Sequence, residues 1–437
     1  MRSMGRPARR LAAGLAVVAV SLSLVSACES GPAKPSAEPS VSGPQAPSKA
    51  PAPPTRTAKP FDPPLKFAAE SGVVIPDGLK LLHDRTVYLA PPKDTGLLAT
   101  SESGELQIID AGTGKTLNTV RPQPGAGETV VKGMTQAPSL ATVGGRTLVL
   151  VTFVLDLPGR GTTQGKRVIE MIAVDSVTNR PAWTKRFGDL PDWGRSADPS
   201  VAVKLIGVQD GIAVVAADDS YGAPTTYAVD LVKGATGATL WHKADDFHPI
   251  MTGTGVVVGT FEGLKQSLAA LGLADGKPVW TKYKDEYELG AHYFAPDRLS
   301  VNYGGSHNSN LRILDAVSGD KLTELEEWAG SSCVYDDRSV TVCTAPIDNY
   351  VIALDAKSAK DLWWLPDSKH TRVAPKVSAV WHGAVYGQTA NGPVVVDART
   401  GNDRSTALTV VPGTVDAYVG LVDDEDTDRT LAYPATG

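Results

Sequence analysis

The first segment whose composition suits chemistry is residues 111–116. It reads Ala-Gly-Thr-Gly-Lys-Thr, and Gly-Lys-Thr ends the loop that holds phosphates in nucleotide-binding proteins. That loop needs another glycine five residues before Gly114, where this chain has Ile109. Strand-like runs lie on both sides of the segment, whereas a phosphate loop leads into a helix. We therefore predict a turn between two strands and no phosphate site.

The histidines and clustered carboxylates form no metal or catalytic pattern. Residues 423–428 are acidic and could attract Ca²⁺, but they lack the Gly and final Glu of an EF-hand loop and are expected to be a solvated hairpin loop. Residues 304–307 lack the second glycine of a nucleophile elbow, since position 308 is Asn. The histidines are His83, His242, His248, His292, His307, His370 and His382. None has zinc-ligand spacing, so we expect no catalytic residue, no cofactor-binding residue and no metal ligand.

Two of the three cysteines, Cys333 and Cys343, are expected to form a disulfide. They flank a turn-like segment, residues 336–339, and both flanks alternate as strands do. Folding the segment about Arg338 places each cysteine five residues from the turn and opposite the other. Cysteines that face each other on paired strands lie close enough for a bridge, which an exported compartment would preserve. The alternative is a pair of reduced, buried cysteines.

The strongest pattern is a repeated phrase of two apolar residues, Asp, a few small residues and Gly. Its Asp position, taken as an anchor, occurs at Asp110, Asp175, Asp230, Gly272 (where Gly replaces Asp), Asp315, Asp355 and Asp397. The intervals between anchors are 65, 55, 42, 43, 40 and 42 residues. An interval near 42 residues is the length of one four-stranded propeller blade. The sequence therefore predicts an all-β propeller.

Each part of the phrase predicts a local structure. The aliphatic run before the anchor indicates a strand. Asp bonds to its own backbone and Gly accepts a positive φ, so together they favour a tight turn. A second strand follows, with tryptophan eight residues after the anchor at Trp183, Trp280 and Trp363, and eleven after it at Trp241. A large ring at a fixed place suits the wedge between neighbouring blades, so we predict that these tryptophans belong to the core.

The repeat resembles that of the PQQ-type β-propeller family, whose consensus runs Ala-x-Asp-x-x-Thr-Gly-x-x-x-Trp. The resemblance spans residues 66–437 and implies a PQQ-like β-propeller. Enzymes of that family bind PQQ and Ca²⁺ over the central channel, and many have an adjacent cysteine pair or an appended haem. This chain has neither an adjacent cysteine pair nor a Cys-x-x-Cys-His sequence. We therefore expect that the protein is not an enzyme and has no cofactor. A PQQ-dependent dehydrogenase is kept as the least favoured alternative.

Eight blades are favoured and seven stay possible. Seven anchors account for seven blades, and residues 431–437 are similar to a degenerate eighth copy with Tyr433 at the Asp place. Eight blades plus the excess of the two long intervals also match the length of residues 66–437. A strand near residues 79–82 is expected to complete the last blade. N- and C-terminal strands would then close the ring and leave no free sheet edge.

Residues 1–27 have the features of a lipoprotein signal peptide. Arginines precede an apolar run over residues 11–25, which is shorter than the roughly 20 residues of a membrane span. The run ends in Val-Ser-Ala-Cys, which resembles the bacterial lipobox. The resemblance implies cleavage before Cys28 and a diacylglycerol on its thiol; an ordinary secretory signal is the alternative. Whether export follows the Sec or the Tat route is left open.

Residues 28–65 are expected to form a tether. Residues 29–65 contain 11 prolines and almost no large apolar residue before Phe61. Such a segment cannot bury a core and is predicted to be extended or disordered. As a polyproline helix, it would span roughly 115 Å. It would hold the propeller domain, residues 66–437, away from the membrane.

Net charge and insertions bear on the partners. Without the signal peptide the chain has 38 basic and 48 acidic residues, a net charge of −10, which argues against nucleic acid and against adhesion to anionic lipids. Residues beyond the 42-residue period fall at 122–138, 155–167 and 188–200. The last insertion contains Trp193, a candidate contact residue because tryptophan is enriched in interface hot spots. Packing of Trp193 on a blade rim is the alternative.

These features favour a non-enzymatic, lipid-anchored, extracytoplasmic propeller that acts as a scaffold for protein partners at the cell surface. The chain resembles the BamB-like lipoproteins in its repeat and its lipobox. We expect a monomer that contacts the membrane only through its lipid and does not bind nucleic acid. The second alternative is a ligand-sensing or solute-binding propeller that recognises a sugar or a cell-wall fragment.

Overall fold

The computed structural model describes residues 59–90, 104–131, 137–190, 202–218, 224–261, 265–286, 289–303, 310–346, 350–424 and 429–437. Short 3-10 helices occur at Ala69–Ser71, Gly234–Thr236 and Ser368–His370. No helix within these ranges is both long and apolar enough to span a membrane. The strands form eight antiparallel sheets, which are the blades of an all-β propeller. The expected fold class is confirmed, with eight blades rather than seven.

Strand β1 (Val73–Ile75) belongs to the last blade, and the first four blades follow it along the chain. Blade 1 contains β2 (Leu79–His83), β3 (Thr86–Ala90), β4 (Leu106–Asp110) and β5 (Thr116–Val120). Blade 2 contains the additional strand β6 (Thr129–Val131), then β7 (Ser139–Val143), β8 (Arg146–Leu157), β9 (Lys166–Asp175) and β10 (Arg180–Asp189). Blade 3 contains β11 (Ala202–Gln209), β12 (Ile212–Asp218), β13 (Thr225–Asp230) and β14 (Thr239–Ala244). Blade 4 contains β15 (Phe247–Gly253), β16 (Val256–Phe261), β17 (Gln266–Gly272) and β18 (Pro278–Glu286).

The remaining four blades are shorter and more regular. Blade 5 contains β19 (Leu289–Ala295), β20 (Arg298–Tyr303), β21 (Leu311–Asp315) and β22 (Lys321–Leu325). Blade 6 contains β23 (Ser332–Tyr335), β24 (Val340–Thr344), β25 (Val351–Asp355) and β26 (Asp361–Leu365). Blade 7 contains β27 (Lys376–Trp381), β28 (Ala384–Thr389), β29 (Gly392–Asp397) and β30 (Asp403–Ser405). Blade 8 contains β31 (Thr414–Val415), β32 (Val419–Asp424), β33 (Arg429–Pro434) and β1.

The ring is closed by strands from both ends of the domain, as predicted, but not by the predicted N-terminal segment. Blade 8 has the strand order β31-β32-β33-β1, with Val73 opposite Ala432. The expectation that residues 79–82 close this blade is wrong, because they belong to the first strand of blade 1. A two-residue turn follows β2, and both of its residues, Asp84 and Arg85, have a positive φ. Such a turn pairs a strand with the next strand along the chain.

The common orientation of the blades gives the ring two different faces. First strands of adjacent blades contact each other, as β11 contacts β15 and β15 contacts β19. The first strand of each blade therefore lines the central channel and the fourth lies outermost. Neighbouring strands are antiparallel, so the connections from first to second and from third to fourth strand lie on one face, here called the turn face. The other connections lie on the opposite face, here called the connection face.

The apolar core is divided into layers between adjacent blades. Each of the eight buried clusters in the described part of the chain combines side chains from two neighbouring blades. Tyr88 and Phe153, both fully buried, share the layer between blades 1 and 2. Tyr386 is likewise buried between blades 7 and 8. Each blade thus depends on two neighbours to remove its apolar faces from water.

The repeated phrase forms one geometry on the turn face. The Asp315 carboxylate accepts a hydrogen bond from the N–H of Ser318 at 2.9 Å. The N–H of Gly319, which has a φ of 71°, donates to the Asp315 carbonyl at 2.7 Å. The N–H of Ala316 donates to the carbonyl of Asp297, in the first-to-second-strand turn, at 2.9 Å. The equivalent of this last bond recurs in all seven anchor turns. The predicted turn chemistry is confirmed in this turn, but not in blade 3, where Gly237 has a φ of −58° and Gly234 has the positive φ.

The repeated tryptophans of blades 2, 3, 4 and 6 each contact the next blade, as predicted. Trp280 of blade 4 donates its indole N–H to the Ala316 carbonyl of blade 5 at 3.1 Å. Trp241 and Trp363 make the equivalent bond to their next blades, both at 2.8 Å. The indole also covers the turn glycine, since a Cβ added to Gly319 would lie 2.9 Å from the Trp280 ring. The glycine is therefore needed for both its positive φ and its lack of a side chain.

The residues just before β1 run between blades 7 and 8. The N–H of Phe61 donates to the Ala417 carbonyl at 2.7 Å, in the first turn of blade 8. The Tyr386 hydroxyl of blade 7 donates to the Pro64 carbonyl at 2.8 Å. Phe67 then packs on the Tyr386 ring, with ring centroids 6.4 Å apart. Contacts with the propeller therefore begin before residue 66, the start of the domain expected from the sequence.

Candidate functional site

His307 and residues 425–428 of the acidic segment lie outside the described residues, as do two residues to which a role was assigned. Cys28, the expected lipidation site, belongs to residues 1–58, and Trp193, the candidate contact residue, belongs to residues 191–201. Both therefore stay predictions, as do the signal peptide and most of the tether. The ends of the second segment are nevertheless placed, because it connects β10 of blade 2 to β11 of blade 3. Both ends lie on the connection face.

Cys333 and Cys343 form the expected disulfide. They lie opposite each other on β23 and β24, with Cα atoms 4.0 Å apart. One carboxylate oxygen of Asp336 shapes the intervening turn by accepting hydrogen bonds from the backbone N–H groups of residues 338–340. Cys343 is fully buried in the layer between blades 5 and 6. The bridge is therefore a structural part of blade 6.

Residues 111–116 form the predicted turn, between β4 and β5. The Asp110 carboxylate accepts hydrogen bonds from the N–H of Gly112 at 2.9 Å and from the Thr113 hydroxyl at 3.1 Å. A phosphate loop presents such N–H groups to its ligand, whereas here the chain's own carboxylate binds them. The resemblance to a phosphate loop is explained by the blade turn.

The histidines are distributed over several blades, as expected. Those within the described residues are His83 in blade 1, His242 in blade 3, His248 in blade 4, His292 in blade 5, His370 after blade 6 and His382 in blade 7. In this part of the chain, no group of three or more His, Cys, Asp and Glu side chains is arranged to hold a metal ion.

A cavity of about 940 Å³ lies at the axis of the ring. The first strands of blades 6, 7, 8 and 1 form most of its wall. Apolar side chains such as Leu82 and Val380 alternate there with titratable groups such as His83, Asp337 and Asp416. A concave site of this size and mixed polarity could admit a small ligand.

Two carboxyl groups, the buried Asp416 and the exposed Asp337, stand at the turn-face end of the axial cavity. Burial raises the pKa of Asp416, although backbone N–H groups that include that of Arg85 act to lower it. The Arg85 N–H lies 2.5 Å from the Asp416 carboxylate and thereby ties blade 1 to blade 8. Partial desolvation also raises the pKa of Asp337, against the opposing effect of His382. Asp416 therefore has a structural role at the seam that closes the ring.

The N-terminal segment is fastened beside the same end of the cavity. The Asp62 carboxylate lies 2.6 Å from Nδ1 of His382 and also pairs with the Arg338 guanidinium. The His382 ring stacks on Trp381, with centroids 3.8 Å apart. Asp62 thus links the start of the domain to the first turns of blades 6 and 7. This contact has no local sequence signal, because it joins positions more than 270 residues apart.

A groove of about 530 Å³ lies between the outer strands of blades 5 and 6. We call it the tryptophan groove, and its main residues are Leu325, Glu326, Trp328, Asp361 and Trp364. Trp364 is 62% exposed. This surface was not predicted from the sequence, although the doublet of Trp363 and Trp364 is a signal for it. Adjacent side chains of a strand point to opposite sides, so only one indole of a doublet can fill the wedge.

Blade 2 differs from the other blades in the length and number of its strands. Strand β8 has 12 residues, and β9 and β10 have 10 each. Strand β6 pairs with the far half of β8, with Thr129 opposite Asp156. The predicted insertions at residues 122–138 and 155–167 are therefore in part an outward extension of this sheet. The extension lies on the connection face, where β8 ends and β9 begins.

A charge network around one buried carboxylate holds the blade 2 extension in place. The carboxylate of Glu170 is almost completely buried and accepts a hydrogen bond from Arg186 Nε at 2.7 Å. The same guanidinium pairs with Glu128 at 2.8 Å and donates to the Gln123 carbonyl at 3.0 Å. Charged groups are stable away from water only when they are paired and hydrogen bonded in this way. The network therefore gives residues 123–128 a defined position.

No protein-family model matches the sequence, and neither does any curated protein. Solved structures with a similar fold include BamB from Moraxella catarrhalis, which is 13% identical, with 83% of this chain and 96% of that chain covered and a TM-score of 0.39. The computationally designed Ika8 protein is 12% identical, with 85% and 99% covered and a TM-score of 0.48. The quinohemoprotein alcohol dehydrogenase from Comamonas testosteroni is 13% identical, with 87% and 76% covered and a TM-score of 0.41. At these identities the likeness concerns the fold alone.

Proposed function

We propose that the protein is a non-enzymatic scaffold that binds protein partners through its connection face and is held outside the cytoplasm by a lipid on Cys28. The observation that carries this proposal is the extension of blade 2. A fifth strand and an ion network around the buried Glu170 support a structure that a four-stranded blade does not require. Surface features built on a rigid scaffold commonly serve recognition.

The environment of the carboxylates supports binding rather than catalysis. The anchor carboxylates accept hydrogen bonds from their own turns, as Asp175 does from the N–H of Thr178 at 2.9 Å and Asp397 from that of Thr400 at 2.8 Å. A general acid or base must exchange its proton with a substrate. Carboxylates that hold backbone turns are poorly suited to that exchange. Their role in the repeat favours a structural framework that presents surfaces.

Site-specific photocrosslinking tests the proposed surface. A photoreactive residue placed at Thr162, an exposed position between β8 and β9 on the connection face, is expected to crosslink to a protein at the cell surface. The matched control is Val177, which is 65% exposed on the turn face of the same blade and is expected not to crosslink. The captured protein, once purified, should bind the wild-type chain saturably. Equal capture at both positions would contradict the proposal.

Trp193 is tested in the same experiment. If it is a contact residue, Trp193→Ala should reduce crosslinking from Thr162 and weaken binding of the purified partner, because tryptophan is enriched among interface hot spots. Unchanged recovery of the partner would remove Trp193 from the proposed interface. It would leave the blade 2 extension as the candidate surface.

The lipid anchor has its own test. Cells are labelled with a fatty acid analogue and fractionated, and the wild-type chain is expected in the membrane fraction with the label attached. Cys28→Ser should remove the label and release the protein from that fraction, because the thiol is the proposed attachment point. A variant that keeps both the label and the membrane association would show that Cys28 is not the site.

Ligand sensing is the second candidate function, and the axial cavity of about 940 Å³ is the observation that favours it. A thermal-shift screen against sugars and cell-wall fragments would detect such a ligand, since a compound that binds only the folded state raises the melting temperature. An absorbance scan of the purified protein for bound quinone tests the dehydrogenase alternative in the same preparation.

A further inference from the structure

We propose that the tryptophan groove binds an extended segment of a partner protein that contains arginine or lysine. This inference rests on the proposed scaffold function, because it assumes a protein partner. Its site is nevertheless separate, since the groove lies between the outer strands of blades 5 and 6 and the extension belongs to blade 2. The two sites can therefore be disabled one at a time.

Blade 5 lacks the repeat tryptophan beside the groove. The position eight residues after Asp315 is Thr323, whereas blades 4 and 6 have Trp280 and Trp363 at this position. Blades 1 and 7 also lack it, but in blade 5 another tryptophan contacts the seam with the next blade. Trp328, which follows β22, packs against the layer between these blades. A volume of about 530 Å³ beside it is left open.

The second indole of the groove is presented to solvent by strand alternation. Trp363 donates its N–H to Ala398 of blade 7, so it faces that blade. Trp364 points to the other side, opposite Ile352 on β25, whose side chain belongs to the layer between blades 5 and 6. Its 62% exposure leaves most of the ring available for contact. Exposed tryptophan of this kind is the residue type most enriched at binding hot spots.

The groove also carries negative charge that the protein does not neutralise. Glu326 and Asp361 are exposed at its wall, with Glu327 beside them, and no described residue forms an ion pair with any of the three. Glu324 differs, because Lys321 and Arg312 pair with it at 2.7 and 3.0 Å. Lysine and arginine are absent from the described residues that line the groove. An approaching cation therefore meets carboxylates that have no competing partner.

A basic side chain complements both features at once. A guanidinium or ammonium group is attracted to the face of an indole and forms charge-assisted hydrogen bonds with carboxylates. Strand β26 is the outermost strand of blade 6 and pairs only with β25, so the expectation that the closed ring leaves no free sheet edge is wrong. The backbone groups along such an edge pair with added extended segments. The volume of the groove suits a short segment rather than a folded domain. An acidic segment would meet repulsion from Glu326 and Asp361.

Peptide selection tests the proposal. A library of ten-residue peptides is selected on the full chain and counter-selected on the Trp364→Ala variant. The enriched peptides are expected to contain arginine or lysine beside an apolar residue. A synthesised peptide from this set should bind the wild-type chain about tenfold more tightly than it binds Trp364→Ala or a Glu326→Gln/Asp361→Asn variant. Its affinity should fall as salt is raised, because exposed charge pairs are screened.

The control variant is Val232→Ala, which changes a 66% exposed apolar residue in blade 3 and should leave peptide binding unchanged. Thermal melts of all variants check that they fold. If Trp364→Ala does not fold, the Glu326→Gln/Asp361→Asn variant still tests whether the groove binds the peptide. Enriched peptides without basic residues, or equal binding to Trp364→Ala, would overturn the proposal. So would a glycan array in which a sugar, and no peptide, depends on Trp364. If position 162 gives no crosslink but the peptide still binds the wild-type chain, the proposed connection-face site is wrong and the groove proposal is still supported.

Discussion

The turn face and the connection face of the ring differ in how regular their backbone is. On the turn face, the N–H groups of Ala316 and Ala398 donate to carbonyls in the first turns of their blades, both at 2.9 Å, and the same bond recurs in every anchor turn. On the connection face, the link between second and third strands is two residues in blade 7, Ala390 and Asn391, but spans residues 91–105 in blade 1. One face repeats in geometry, and the other varies in length.

This difference between the two faces shows which part of the sequence maintains the ring. The turn-face bonds join two turns of one blade, whereas the indole contacts connect neighbouring blades, so the loss of an indole affects two blades. A surface connection tolerates extra residues because the entropic cost of closing a loop rises slowly with its length. Insertions therefore accumulate on the connection face, where they build new surface without disturbing the layers of the core.

The largest expected effect contrasts two adjacent tryptophans of β26. Trp363→Ala removes an indole that contacts the turn face of the next blade and donates to Ala398, and it should lower the free energy of unfolding by about 3 kcal/mol. Trp364→Ala removes a mostly exposed ring and should cost less than about 1 kcal/mol. Urea unfolding followed by circular dichroism measures both. Equal losses would mean that the repeat tryptophans do not hold the blades together.

The disulfide is expected to have the next largest effect. Cys333 is one residue from the connection-face end of β23, where the repeat supplies no stabilising turn. Replacing both Cys333 and Cys343 with alanine should lower the free energy of unfolding by about 2–3 kcal/mol, the value expected for a loop of this length. The unfolding of the variant is compared with that of the wild type, with and without reductant. Only the wild type should respond to reductant, and a response of the variant would point to another cause.

Blade 4 allows a smaller test of the turn face, because its anchor is Gly272. A Cβ at this position would lie 2.4 Å from the carboxylate of Asp275, which accepts the N–H of Lys277 at 3.1 Å. Gly272→Asp alone should therefore lower the free energy of unfolding by about 1–2 kcal/mol. Adding Asp275→Ser recreates the phrase of the other blades and should recover most of the loss. If Gly272→Asp alone is as stable as the wild type, the introduced carboxylate and that of Asp275 do not compete for the same place in the turn.

The smallest expected effect is an acid dependence of the turn face. The N–H of Ser358, and then its hydroxyl, lower the pKa of Asp355 in the folded protein. A lowered folded pKa stabilises the protein above the unfolded value near 3.9, and this stabilisation disappears as the pH falls through the folded pKa. Asp355→Asn should therefore cost about 1 kcal/mol at neutral pH, and the difference from the wild type should shrink as the pH falls below about 4.

Unfolding at pH 7 and at several acidic pH values measures this effect. Asp246→Asn, at an exposed position between blades 3 and 4, makes the same change in net charge and is the control. A difference between the Asp355→Asn variant and the wild type that stays constant over this range would show that the turn does not depend on the charge of Asp355.

The parts of the fold that could be predicted are those set by local interactions. The turn at Asp315 needs only its own carboxylate and Gly319, and the disulfide follows from strand alternation around one turn. The closing strand could not be found in this way, because any short apolar segment near the N-terminus could pair with blade 8. The tight turn after β2 pairs residues 79–82 with β3 in blade 1, so the earlier strand β1 closes blade 8.

The candidate surfaces were less accessible to sequence reasoning. The long intervals pointed to blade 2, but they did not indicate that β6 would pair with β8 or that Arg186 would join Glu170 to Glu128. These contacts depend on the path of an insertion in three dimensions. The tryptophan groove can be recognised only by comparing blades, because blade 5 has Thr323 where other blades have tryptophan and blade 6 exposes Trp364.

The all-β propeller follows from a period of about 42 residues, and the anchor turns and the tryptophan contacts follow from patterns only a few residues long. Which strand closes the ring, which face the insertions extend and which seam holds the tryptophan groove became visible only in three dimensions. Those features depend on contacts between residues far apart in the chain, such as Arg85 with Asp416 and Asp62 with His382. A periodic sequence specifies its repeating unit, and the closed ring determines what the exceptions to the period can do.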